Sequence, residues 1–199
     1  MQVTINVTKA SMRVLLRTLL FCLLVPSAVA LAQDKPAAAV AQENPLSAFN
    51  KRAYGQMKDW LIRSAEKMPE ENYSFKPAET VRSFGQLIGH VADAQYTFCS
   101  VALGEKNPAP SVEKTKTAKA DLIVALKEAG AYCDRAYNGM TDAQAAQTVK
   151  LFREEMPKLS LLNVNIAHLS EHYGNIITYR RMKNIVPPST EQMSAPPKN

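Results

Sequence analysis

The chain has 199 residues, 46% of them hydrophobic and 21% charged, with a formal net charge of +6. That composition excludes a disordered or low-complexity chain and suits one domain with a sizeable core. The first 32 residues hold three of the 24 basic residues and none of the 18 acidic ones, so the rest carries only +3; with no Arg/Lys stripe interleaved with aromatics, nothing points to nucleic acid.

Residues 1–32 read as a cleaved signal peptide. A cationic start (Lys9, Arg13, Arg17) precedes an apolar run from Leu19 to Val25, Pro26 and the small-residue sites Ala28-Val29-Ala30 and Ala30-Leu31-Ala32. The run, broken by Arg17 and Pro26, is shorter than the ~20 residues that span a bilayer, and Cys22 lacks the small residues before it that lipidation needs. The expectation is a periplasmic or secreted protein with no stable membrane association once the leader is removed. Residues 33–44 are Ala-rich and short of large apolar side chains, as in a flexible linker.

Four helical segments follow in 45–186. The first opens on Asn44-Pro45 as cap and first turn and runs to about Met68, with Phe49, Met57, Trp60 and Leu61 expected in the core. The second starts at Ser83 and repeats Phe84, Leu87, Val91, Ala94, Phe98 and Val101 at helical spacing. The third starts near Thr117 and carries Leu122, Ala125, Leu126, Ala129 and Tyr132. The fourth runs from about Pro157 to Asn184, with Leu159, Leu162, Ile166, Leu169, Tyr173 and Ile176 spaced three and four apart. No alternating stretch long enough for a sheet is visible, and the Pro-rich tail 187–199 reads as disordered. The fold class expected is all-α, a four-helix bundle.

Outside the leader the only cysteines are Cys99 and Cys133, a disulfide candidate in an oxidising compartment. Each lies sixteen residues beyond its helix start, Ser83 and Thr117, so a bond between them requires the second and third helices to run parallel. That would favour an up-down-down-up order.

The chain's three histidines are His90, His168 and His172. On a helix, positions i and i+4 are offset by about 40° and 6 Å, so His168 and His172 can aim at one ion. His90 precedes core Val91 as His168 precedes core Leu169, which turns both about 100° from their apolar seams. Three neutral imidazoles with an open position suit Zn, Ni or a similar divalent metal ion. The spacing equally allows three separate, partly buried histidines satisfied by their neighbours.

His168-Leu-Ser-Glu171-His172 also fits H-x-x-E-H, a zinc-peptidase signature, but only Glu191 follows Glu171 among acidic residues and no downstream carboxylate ligand is in place. Glu171 stays a candidate catalytic base or ligand-orienting group. Asp93 could orient an imidazole, Tyr96 and Tyr173 could donate to a substrate oxygen, and Arg180 and Arg181 could clamp an anion or simply complement the helix dipole.

"VRSFGQLIGHVADAQ" and "HLSEHYGNIITYRRMKNIVPPS", with the order His90, then His168-x-x-x-His172, resemble the DinB-like superfamily, which includes DUF664 proteins, bacillithiol transferases and mycothiol-dependent isomerases. The resemblance spans Pro45 to Ser189. It implies an up-down-down-up bundle, a divalent metal on His90, His168 and His172, and a small-molecule substrate, as for a metal-dependent hydrolase or thiol transferase. It implies no nucleic-acid partner, and a homodimer is compatible with it. A non-catalytic binding or stress-related module on the same bundle is the alternative, because folds do not fix chemistry.

Overall fold

The computed structural model describes residues 43–108 and 110–194. The expected signal peptide, 33–42 of the expected linker and 195–199 of the tail lie outside the described residues. In chain order the elements are α1 (Pro45–Lys67), a 3-10 turn (Glu70–Asn72), α2 (Phe84–Leu103), α3 (Val112–Thr115), α4 (Lys119–Asn138), α5 (Asp142–Ala145), β1 (Thr148–Leu151), β2 (Glu154–Pro157), α6 (Lys158–Met182) and α7 (Pro188–Ser194).

The bundle is formed by α1, α2, α4 and α6. Both α1 and α2 pack on α4 and on α6, so α1 and α2 stand diagonally opposite. Side-chain contacts give the directions. Near the helix starts a Cβ on Gly85 would lie 3.2 Å from Leu122, and near the ends Cys99 and Cys133 are disulfide-bonded with Cα atoms 5.2 Å apart, so α2 and α4 run parallel. Tyr54 stacks on Tyr137 at 4.0 Å while Lys119 Nζ donates to Met68 O at 2.8 Å, which makes α1 and α4 antiparallel. Tyr179 donates to Arg82 O at 3.0 Å and Phe98 meets the His168 ring at 5.6 Å, which makes α2 and α6 antiparallel. The order is up-down-down-up, as the equal offset of the two cysteines required. Among the described residues no helix is long and apolar enough to cross a membrane.

Local chemistry explains the helix limits. Ser83 and Gln86 form a reciprocal capping box at the start of α2, and Gly104 at φ 70° ends it. At α1 the cap comes from elsewhere. Asn44, the expected cap, sits at φ 57° and makes no side-chain cap bond to α1; Asp142 accepts from the Leu46 and Ser47 amides at 3.2 and 2.8 Å, and Asn44 Oδ1 accepts from Asp142 N at 2.8 Å.

Three expectations are corrected. Phe49 is 63% exposed, whereas Met57 and Leu61 are buried; Phe49 lies on the outer face of α1. A two-stranded antiparallel hairpin, with Thr148 opposite Pro157 and Leu151 opposite Glu154, leads into α6 where no strand was foreseen. The tail is ordered at Pro188–Ser194 as α7, held by Glu191 on Arg63 (2.8 Å) and Lys67 (2.6 Å) and by the Tyr173 hydroxyl on Ser189 (2.9 Å). Proline at its first position and two cations across on α1 stabilise a segment whose composition alone is poor.

The disulfide closes a 34-residue separation, so replacing both cysteines by alanine is expected to cost about 3–4 kcal/mol by the loop-entropy relation. Thermal melts of the oxidised and Cys-free proteins check this, and equal midpoints would show that the bond contributes nothing in solution.

Candidate metal centre

His90 comes from α2, and His168 and His172 from adjacent turns of α6. Their Nε2 atoms converge. His90 Nε2 lies 3.2 Å and His172 Nε2 3.1 Å from His168 Nε2, and the three ligand atoms all fall within 4.8 Å of one another. Two nitrogens bound to zinc at 2.0–2.1 Å in tetrahedral geometry stand roughly 3.3 Å apart, so the spacing suits a ligand set as well as it suits hydrogen-bonded rings. The Phe98 ring stands against His168 as an apolar wall.

The protonation chemistry points the same way. His90 Nδ1 is 3.1 Å from Glu113 Oε2, and a carboxylate there holds the proton on Nδ1, leaving the Nε2 lone pair to face the cluster. The Nδ1 atoms of His168 and His172 are buried with no hydrogen-bond partner. If those rings carry their protons on Nδ1, three lone pairs confront one another at the centre and two buried N–H donors stay unmatched; if on Nε2, two buried Nδ1 lone pairs stay unmatched. A cation bound by all three Nε2 atoms removes the mutual repulsion of the first arrangement, so the donor set fits a divalent metal.

Burial, then the neighbouring His172, His90 and Arg82, push the His168 pKa down from 6.5 to about 4, and burial and His90 lower that of His172. His168 is therefore neutral and able to bind metal at ordinary pH. The unfolded chain binds more protons than the folded one between these two values, so this contribution to stability is fully present above pH 6.5 and is lost as the pH falls toward 4. Urea midpoints of metal-free protein at neutral and mildly acidic pH are expected to fall, and the fall to shrink in His168→Gln. An equal fall in that variant would refute the assignment.

Glu113 escaped sequence reasoning. It lies 23 residues from His90, on the one-turn helix α3 in the connection between α2 and α4. Asp93 builds this arrangement: its carboxylate accepts from the Val112 and Glu113 amides at 2.8 and 3.0 Å. Asp93 thus orients an imidazole, but through Glu113 rather than by touching it. Gly89 permits the approach, since a Cβ there would lie 2.6 Å from Glu113 Cα. Arg82 Nε donates to the other carboxylate oxygen of Glu113 at 2.8 Å.

A hollow of about 640 Å³ opens at His172, with Glu171, Glu113, Arg82 and Asn175 also among its walls. Glu171 is exposed on that wall and close enough for its charge to act on His172. The other candidates lie elsewhere. Tyr173 stacks on Trp60 at 5.2 Å, and Tyr96 pairs with Tyr132. Arg180 is fully buried, donating to Ser64 O and Val186 O, and Arg181 reaches Thr190.

A four-helix bundle with a three-histidine cluster shared by two antiparallel helices defines the class of the molecule. The sequence profile of the DinB superfamily matches residues 54–176, a span that contains all three histidines, and the chain belongs to that superfamily. It is 29% identical over 120 residues to the uncharacterized protein YjoA of Bacillus subtilis (strain 168), covering 59% of this chain and 77% of the relative. A DinB-like protein from Bacillus cereus shares the fold at a TM-score of 0.62 with 16% identity, over 70% of this chain and 93% of that one. The mycothiol-dependent maleylpyruvate isomerase does so at 0.56 with 15% identity, over 66% of this chain and 60% of that one.

Proposed function

We propose that the protein is an exported, metal-dependent hydrolase or transferase acting on a small molecule. The observation that carries this reading is the convergence of three Nε2 atoms, with Glu113 fixing the tautomer of His90. His90, His168 and His172 would hold the ion, which when bound supplies Lewis-acid activation of a water or thiol nucleophile near neutral pH. Glu113 holds the Nδ1 proton of His90, Phe98 stands against one side of His168, and Glu171 on the wall of the hollow would serve as the base that accepts a proton from an incoming nucleophile. The resemblance to a thiol-dependent isomerase supports small-molecule chemistry, and the oxidised Cys99–Cys133 pair, together with the leader-like residues 1–32, supports export to the periplasm or beyond.

Elemental analysis of protein purified from the periplasm is expected to find about one divalent ion per chain, and His168→Ala to lose it without unfolding the domain. The loaded protein is expected to turn over a member of a panel of esters, amides and thiol-plus-electrophile pairs. Absence of stoichiometric metal from both native and reconstituted protein would overturn the reading; metal without turnover would assign a non-catalytic binding module instead.

A further inference from the structure

Next to the hollow at His172 lies a second, of about 700 Å³, and the two share Lys76, Arg82, Gln86 and Glu113. Its walls carry four cations, Lys76, Arg82, Lys114 and Lys116, against one carboxylate, Glu113. Arg82 is bound to that carboxylate, and Lys76 Nζ to Glu79 at 2.6 Å. Lys114 and Lys116 make no ion pair among the described residues. Like charges left unpaired in a concavity repel one another, and low-dielectric walls focus their field on whatever enters.

Other features of the hollow favour negative charge. Thr117 and Leu122, on either side of the first turn of α4, both line it. The residue preceding α4, Ala118, offers no side-chain cap, so the positive end of the dipole is offset in the first turn only by Asp121. Ser74 and Ser83 also line it.

We propose that this second hollow receives the anionic arm, carboxylate or phosphate, of an elongated substrate whose reacting end lies at the histidines. Lys114 and Lys116 are its specificity-determining residues, and Arg82 and Gln86 on the shared wall separate charged arm from reacting end. The proposal rests on the metal-centre reading for the reacting end only.

The test uses two ligands of equal length, 6-mercaptohexanoate and 6-mercaptohexanol, titrated calorimetrically into zinc-loaded protein. The carboxylate is expected to bind roughly tenfold tighter, the scale of one good charge-assisted contact. Lys114→Gln/Lys116→Gln is expected to bring the ratio near one while leaving zinc content and binding of the alcohol unchanged. Equal affinities in the native protein, or a ratio that survives the double substitution, would overturn the proposal. Inorganic phosphate titrated into metal-free protein provides the arm independent of the metal: weak binding that the double variant loses supports the hollow even where zinc fails to load, and no difference between the two proteins counts against it.

Discussion

Arg180→Ala is expected to destabilise the domain by about 3–5 kcal/mol, through lost packing volume and two lost hydrogen bonds to main chain. Arg180 is fully buried near the end of α6, and its Nη atoms donate to Ser64 O at 2.9 Å and Val186 O at 2.7 Å. Those bonds tie the end of α6 to α1 and to the chain leading into α7. No carboxylate forms an ion pair with it among the described residues, and burial lowers its pKa. Its retention therefore rests on hydrogen bonding to main chain and on the volume of its stem. Two variants separate these contributions. Arg180→Met refills the volume but removes both hydrogen bonds, although Ser64 O keeps the Met68 amide at 3.2 Å, so about 1–3 kcal/mol of the loss should remain. Urea melts with unchanged slopes measure both, and full recovery in the methionine variant would show that the hydrogen bonds contribute nothing.

Arg180 also marks a boundary of sequence reasoning. It continues the apolar seam of α6, Leu169, Tyr173 and Ile176, at the next interval of four, and that register could have placed it inside. Its charge suggested an anion clamp or a complement to the helix dipole instead. The three histidines were legible as candidates: helix geometry offered an i, i+4 pair on α6 and His90 beside a core valine on α2, and the resemblance to the DinB-like superfamily implied that they form one set. The parallel course of α2 and α4 was legible from the equal offsets of Cys99 and Cys133. Glu113 was not, because its partner is set by tertiary contacts rather than by periodicity. It reaches His90 only because Asp93 receives two amides of α3 and Gly89 has no side chain. The cap of α1 escaped for the same reason, Asp142 being about 95 residues away.

That dependence makes Gly89 and Glu113 a test of how the centre is assembled. Gly89→Ala is expected to weaken metal binding 10–100-fold, the range typical of losing a hydrogen bond that orients a ligand. Helix propensity favours the alanine by up to about 1 kcal/mol, but a Cβ 2.6 Å from Glu113 Cα and 2.9 Å from Glu113 N has backbone, not a flexible side-chain end, in its way. So α3 must shift, and its carboxylate leaves Nδ1 of His90. Glu113→Ala should match Gly89→Ala, because both remove the same acceptor. Glu113→Gln should fall between these variants and the native protein, since an amide oxygen can still accept from Nδ1 but brings no negative charge to stabilise the ligand. Asp93→Ala should lie on the same scale, its loss acting through the freed α3. Competition against a chromophoric chelator at neutral pH gives the ranking. Native affinity in Gly89→Ala would mean that the α2–α3 approach does not control His90, and Glu113 would then be a surface partner of Arg82 alone.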